Sequence, residues 1–467
     1  MKLSKYLVQL SVLALPLNLC GQEALSGESD SVVFTPYYKY RVSLKDKEGC
    51  GYSVKKPEEF LSLKSLDRRR RQGLSVDESD LPVSKKYLKK LQKAGVQILH
   101  TSKWNNTVLV QTTDTTQMND ISSLSFVEKV RKVGSYERAP RPLQRDRKQM
   151  IAKSPAPGDS LPGLGYYGRG ENQIRQIHGD ALHSQGYHGE GMTIAIIDGG
   201  FQNADIIPML SDVRILGTKD FAGGEGSVYD YERHGMMVLS CIAMNQPHYM
   251  VGTAPGASFY LLRSEDSDTE QLVEEDNWCA AIEYADSVGA DLINSSLGYT
   301  TFDNPLDNVE YWEQDGQTHI NSRSASMAAS KGMIVCNSAG NSGNSQWKRI
   351  GVPADADHIL AVGALTPKGM NTNFSSVGHS ADGRIKPDIC AQGENCSLMG
   401  SYGSLTVANG TSFASPILCG VVACYWQAHP SLTAIEVIDH IHRLGDRYEH
   451  PDNVFGYGIP DFSKTLE

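Results

Sequence analysis

The sequence predicts an α/β domain, doubly wound, with a mostly parallel sheet and helices on both faces, preceded by a small α+β domain. Three observations carry this. Beyond about Tyr166, short apolar runs (Met192–Ile197, Ser258–Leu262, Asp291–Ser295, Met333–Cys336 and Ile359–Val362) alternate with helical stretches near 173–184, 235–245, 270–288 and 320–331. Strands that are apolar throughout belong to a parallel sheet covered on both faces. Between Tyr37 and Val133 the elements follow a different order, β-α-β-β-α-β. Residues 136–165, rich in Pro, Arg and Gly, separate the two patterns and read as an exposed linker open to proteolysis.

In the front part, Tyr38, Tyr40, Val42 and Leu44 alternate as in a half-buried strand. Arg68 to Arg71 form a basic run, read as a solvated helix face or a cleavage motif. Ser84 caps a helix with apolar positions Tyr87, Leu88, Leu91 and Ala94, and Gly95 stops it. Val96–His100 and Thr107–Thr112 read as strands turned through Asn105-Asn106, followed by a helix over Met118–Leu124 and a strand over Val127–Val133. This order is that of a ferredoxin-like α+β domain.

The chain has 467 residues, enough for two or three domains. Its net charge of −10 conceals an asymmetry. Residues 22–150 hold 25 Lys+Arg against 16 Asp+Glu, whereas residues 151–467 hold 17 against 38. Two oppositely charged pieces suit docking on each other. Nucleic-acid binding is set aside, because the basic residues lack interleaved aromatics. Lys2 and Lys5 followed by the apolar run Tyr6–Leu19 read as a secretory signal over residues 1–21, removed near Gly21. A lipid anchor on Cys20 is the rival, disfavoured by the bulky Leu19 before it. No other stretch is long and apolar enough to span a membrane. Of the nine cysteines, Cys390 and Cys396 flank a short polar loop and are the expected disulfide pair. Cys241, Cys279, Cys336, Cys419 and Cys424 lie in apolar runs and are expected to be buried thiols. No Cys/His spacing suggests zinc.

Four residues could do chemistry. Asp198 ends the strand Ile-Ala-Ile-Ile-Asp and is followed by two glycines. His234 opens an apolar helix, with Gly235 leaving room beside it. Asn341 lies in Asn-Ser-Ala-Gly-Asn-Ser-Gly, just past a strand. Ser412 sits in Gly-Thr-Ser-Phe-Ala-Ser-Pro, where Pro416 places a helix start close by, with its unpaired N–H groups and positive dipole end. Singly, these read as a turn, a cap, a loop amide and a cap. In open parallel sheets, however, ligands bind beyond the carboxyl ends of strands, where such residues project.

Together the segments resemble the subtilisin-like serine protease family (subtilases). The matches are Asp-Gly at 198, His-Gly at 234, Ser296-Leu297-Gly298, Ala339-Gly340-Asn341, Val251-Gly-Thr-Ala-Pro-Gly-Ala257, Gly410-Thr-Ser-x-Ala-x-Pro416 and Gly456-Tyr-Gly-Ile-Pro-Asp461. The resemblance covers about residues 166–467. It implies a Ser412 nucleophile, a His234 base, an Asp198 that orients the base, and an Asn341 amide that meets the oxyanion. It also implies that Ser296–Gly298 runs beside the substrate as an edge strand and that Ala339-Gly340 walls the pocket for the residue before the scissile bond. The front domain, residues 22–135, resembles the inhibitory propeptide of such enzymes, with maturation in 136–165. The chain departs from the family pattern at Gly200, at Met236-Met237 and in a long Tyr299–Ser322 segment. The expected protein is a secreted or cell-surface endopeptidase, made as a zymogen and monomeric, acting on peptides or proteins. No cofactor is required for its chemistry, and structural calcium, common in the family, cannot be assigned to any loop. Side-chain preference is not legible beyond a default of broad or apolar. The alternatives are an inactive scaffold on the same fold and an acid-acting relative, which His234 argues against.

Overall fold

The computed structural model describes residues 34–138, 147–151, 154–224 and 226–464; the signal segment 1–21 lies outside them. The front domain contains β1 (Tyr37–Leu44), α1 (Leu63–Arg71), α2 (Lys85–Lys93), β2 (Gln97–Ser102), β3 (Thr107–Thr112), α3 (Gln117–Ser122) and β4 (Val127–Tyr136). Its four strands form an antiparallel sheet in the order β2-β3-β1-β4, as the ferredoxin-like reading requires. Ser84 accepts the Tyr87 N–H and caps α2, and Gly95 takes a φ of +92° behind it. Val42, Leu91, Val108, Val110 and Ile121 meet in its core. Helix α1 is an addition to the expected order.

A short helix, α4 (Arg147–Met150), lies in the linker, and the second domain opens with α5 (Glu171–Arg175) and α6 (Gly179–Ser184). The expected single helix over 173–184 is thus broken, because His178 adopts a left-handed conformation. There follow β5 (Thr193–Asp198), β6 (Arg214–Asp220), α7 (His234–Ala243), the two-residue strands β7 (Asn245–Gln246) and β8 (Met250–Val251), β9 (Ser258–Arg263), α8 (Val273–Val288) and β10 (Leu292–Ser295). The remaining elements are α9 (Ile320–Ser330), β11 (Ile334–Ser338), β12 (Leu360–Leu365), β13 (Ile389–Gln392), the hairpin β14 (Cys396–Met399) and β15 (Leu405–Ala408), α10 (Thr411–Ala428) and α11 (Ala434–Leu444).

Seven parallel strands form the sheet β13-β12-β11-β10-β5-β9-β6. The strand order reverses around β5: the chain goes out to β6, returns to β9, then continues on the other side with β10. That reversal opens a crevice at the carboxyl end of β5, which is where Asp198 stands. One face of the sheet packs Ile194, Ile196, Leu261 and Leu360 against α7 and α10; the other packs Ala195, Ile197, Ile293 and Val335 against α8 and α9. Strand β6 escaped the sequence pattern because it is an edge strand whose residues, Arg-Ile-Leu-Gly-Thr-Lys-Asp, are mostly exposed or half-buried.

Three expectations need correction. Cys390 and Cys396 are both free thiols, as are the other described cysteines. Cys390 lies within the sheet and donates to the Phe455 carbonyl, whereas Cys396 opens the β14 hairpin and donates to the Gln392 carbonyl. The two side chains serve different elements. The basic run on α1 is not a solvated face either: Arg68 and Arg69 are 0% and 1% exposed, and only Arg70 and Arg71 reach solvent. Part of the linker is also less open than expected, since Arg147 pairs with Asp205 and Asp230, and Leu161 packs on the second domain.

The front domain seats on α8. Arg41 makes a two-point pair with Asp276, 2.7 Å at each contact. Arg68 meets Asp286 at 2.5 Å and also donates to the Ala290 carbonyl. Arg69 and Lys103 share Asp286, and Glu283 accepts from the Ser102 hydroxyl and from the Lys103 and Trp104 amides. The long 299–322 segment joins this seat. Phe302 and Val309 pack with Leu109 and Val133 of the front domain, and Asp307 pairs with Arg131. The charge asymmetry of the sequence is therefore expressed as an interface.

Candidate active site

A cleft of about 520 Å³ contains Asp198, His234, Ser296, Leu297, Gly298, Gly340, Asn341 and Ser412. Strand β5 ends in Asp198, fully buried, with one carboxylate oxygen accepting the Gly199 N–H at 2.8 Å. His234 is the first residue of α7 and offers Nδ1 to both Asp198 oxygens, at 2.8 and 3.0 Å. Burial lowers the affinity of the imidazole for its proton, but the Asp198 charge and hydrogen bond more than offset this, and the His234 pKa is raised above its usual 6.5. Glycine is required beside this pair. A Cβ on Gly235 would lie 2.5 Å from the Gly200 carbonyl, and one on Gly200 would lie 2.5 Å from the Glu232 nitrogen. The departure at Gly200 is thus a packing requirement of this chain.

Ser412 is the second residue of α10, with Gly410 as its N-cap. Pro416 sits deeper than the first turn, where a proline normally disrupts a helix by orphaning the carbonyl four residues back. Here that carbonyl belongs to Ser412, and it accepts the Ser296 hydroxyl at 2.8 Å instead. The Ser412 hydroxyl donates to the Ser296 carbonyl at 3.3 Å. Among the described residues no hydrogen bond joins it to His234, so transfer to the imidazole calls for a rotation of the serine side chain, a loose geometry common in unliganded sites.

Asn341 is fixed by its oxygen. Oδ1 accepts the Thr411 N–H at 2.9 Å and the Thr411 hydroxyl at 3.0 Å, leaving the Nδ2 hydrogens as the free end of the amide. Thr411 and Ser296 stand in the quoted motifs, but their side-chain roles here emerge only when strands and helix ends meet. Ala339 is buried in the core, hydrogen-bonded through its N–H to Val362, while Gly340 lines the cleft with a φ of +106°. Ser296–Gly298 continues beyond β10. Among the described residues no backbone hydrogen bond engages Gly298, so its N–H and carbonyl are available to an extended ligand. No group of three or more His, Cys, Asp or Glu among the described residues is arranged to hold a metal ion.

The parallel α/β fold and the comparisons with known proteins together define a serine peptidase. The Subtilase family model (Peptidase S8) matches residues 189–458, and a model described as the Peptidase S8 propeptide domain of Bacteroidota matches residues 39–149. Subtilisin NAT of Bacillus subtilis subsp. natto is 33% identical over 289 residues, 61% of this chain and 68% of that protein. Subtilisin E of Bacillus subtilis (strain 168) is 32% identical over the same shares. The crystal structure of MycP1 from Mycobacterium smegmatis matches with a TM-score of 0.50 at 21% identity, over 68% of this chain and 89% of that one, which speaks to the fold. The chain belongs to the subtilase family of serine endopeptidases and carries its own propeptide domain.

Proposed function

We propose that Asp198, His234 and Ser412 act as a catalytic triad in an exported endopeptidase made as a zymogen. The observation that carries this is the buried Asp198 bonded through both oxygens to His234 Nδ1, in a cleft shared with Ser412 at a helix start. His234 takes the Ser412 proton as the hydroxyl attacks the peptide carbonyl, and returns it to the leaving amine. Asp198 holds the imidazole tautomer and stabilises its cation. The oxyanion meets the Asn341 Nδ2 and the Ser412 N–H at the positive end of α10. Subtilisin is the type case of this chemistry, so these roles come to the chain by family and are supported by its geometry. Water then hydrolyses the acyl-enzyme. The chemistry needs no cofactor. The front domain assists folding and inhibits until cleavage within 136–165, residues 1–21 direct export, and the product is a monomer.

The test is Ser412→Ala in the full chain. It should persist unprocessed and lack peptidase activity, and N-terminal sequencing of the wild-type product should start within 136–165. Normal processing by the variant would overturn the assignment of the nucleophile. Because the neutral imidazole is the base and its pKa is raised, kcat/KM should climb with pH through a midpoint above 6.5 and fall away in acid. A rate that is flat from pH 5 to 8 would contradict the role of His234.

A further inference from the structure

The cleft extends past the reacting groups to a wall made by the β9–α8 loop and the segment after Gly298. This wall bears Glu265, Asp266, Glu270, Glu274 and Asp303, and no lysine or arginine lines the cleft among the described residues. Backbone N–H groups and hydroxyls, and no lysine or arginine among the described residues, hold Glu265, Glu274 and Asp303. The Asp266 N–H donates to Glu274 Oε1 at 3.0 Å, the Glu270 N–H donates to Asp303 at 3.2 Å, and the Tyr299 and Ser264 hydroxyls donate to Glu265. Glu274 is 1% exposed, faces the cleft, and its Oε2 has no hydrogen-bond partner. Burial, with Glu265 and Glu270 next, pushes its carboxyl well above the usual range, which a neighbouring cation would reverse.

A buried carboxylate oxygen without a partner is costly, and natural sites rarely leave one without a function. We infer that this wall binds a lysine or arginine side chain of the substrate, several residues before the scissile bond. The inference rests on the peptidase reading above. Ser296 touches Ser412 and Tyr299 touches Glu265, so the wall lies three residues along an extended chain, or ~10 Å, from the nucleophile. A substrate strand paired along Ser296–Gly298 delivers its more distant side chains there. The chain's own sequence supplies such side chains. Strand β4 ends against this loop, with Ser135 exchanging hydrogen bonds with Gln271, and the sequence that follows contains Arg138, Arg141 and Arg145. The sequence after β4 is therefore arginine-rich, and the broad or apolar preference expected from sequence gives way to a basic one.

The experiment uses the processed wild-type protein and peptides that differ only at the positions two and four residues before the scissile bond, carrying Arg, Ala or Glu. At one of the two positions kcat/KM should fall in the order Arg, Ala, Glu, with Arg above Ala by about 10-fold and above Glu by about 100-fold. The Glu270→Gln/Glu274→Gln double variant should reduce the Arg-to-Glu ratio by about 10-fold. Equal cleavage of all three peptides by the wild-type protein would overturn this inference and leave the peptidase reading intact. Cleavage of none would overturn the peptidase reading and this inference with it. The wild-type ratios decide the matter even if the double variant fails to fold.

Discussion

The acidic residues around α8 fall into two groups that differ in how they are satisfied. On the side facing the propeptide domain, Asp276, Glu283 and Asp286 each receive an arginine, a lysine or a set of N–H and O–H donors. On the side facing the cleft, Glu265, Glu270 and Glu274 make no ion pair among the described residues, and one oxygen of Glu274 has no partner. Buried acids are thus paired on the propeptide side, whereas on the cleft side the buried Glu274 keeps one oxygen without a partner, beside half-buried Glu265 and exposed Glu270. A propeptide that docks for long periods can supply cations permanently. A substrate supplies them only while it is bound, so the cleft bears the cost of empty acidic positions between turnovers.

The contrast breaks most sharply at Arg68. Truncation by Arg68→Ala leaves Asp286 buried with fewer cations and should weaken propeptide docking by about 3–5 kcal/mol, read as an inhibition constant for the propeptide or as lost folding yield. A loss below about 1 kcal/mol would mean that Arg69 and Lys103 satisfy Asp286 unaided. Next comes a matched pair. Asp276→Asn removes the two-point partner of buried Arg41, leaving only Glu275 at 3.3 Å, and should lower the thermal stability of the unprocessed chain by about 2–4 kcal/mol. Glu274→Gln removes an unsatisfied, crowded carboxyl and should change stability by less than about 1 kcal/mol, or raise it. Equal losses in the two variants would erase the distinction.

A further test of the interface concerns pH. His100, in the same interface, has an unpartnered Nε2, and burial, with Lys39 and Lys219 next, holds its pKa down to about 3. A histidine depressed in the complex and near 6.5 when released favours docking above pH 6.5, and that contribution drains away as pH falls through the window below it. Acidification from pH 7 to 5 should therefore weaken docking by roughly 25-fold through this group. His100→Leu should remove that component, and an unchanged pH slope in the variant would assign it to the carboxylates.

Much of the fold and site was legible in the linear pattern. Five of the seven large-sheet strands were marked by continuous apolar runs, and Asp198, His234 and Ser412 stood in short motifs at strand and helix ends. The misreadings share a cause. A run such as Arg68–Arg71 looks solvated because its own helix offers no counter-charge; the partner of Arg68 lies 218 residues away. Cys390 and Cys396 looked like a pair because they are close in sequence, yet one lies in a seven-stranded sheet and the other opens a hairpin. The acids between Glu265 and Asp276 drew no reading from the sequence, because only the fold decides which of them face the propeptide domain and which face the cleft.

The sequence alone determined the charge asymmetry, five of the large-sheet strands and the placing of Asp198, His234 and Ser412 in motifs at strand and helix ends. These are written in local periodicity, in turn chemistry and in residues that must end a particular strand or open a particular helix. The tertiary structure alone decided that Ser296 rescues the carbonyl orphaned by Pro416, that Thr411 turns the Asn341 amide outward, and which carboxylates have partners. Those outcomes depend on groups brought together across the chain, where burial magnifies each satisfied or unsatisfied charge, and nearest neighbours in sequence carry no record of them.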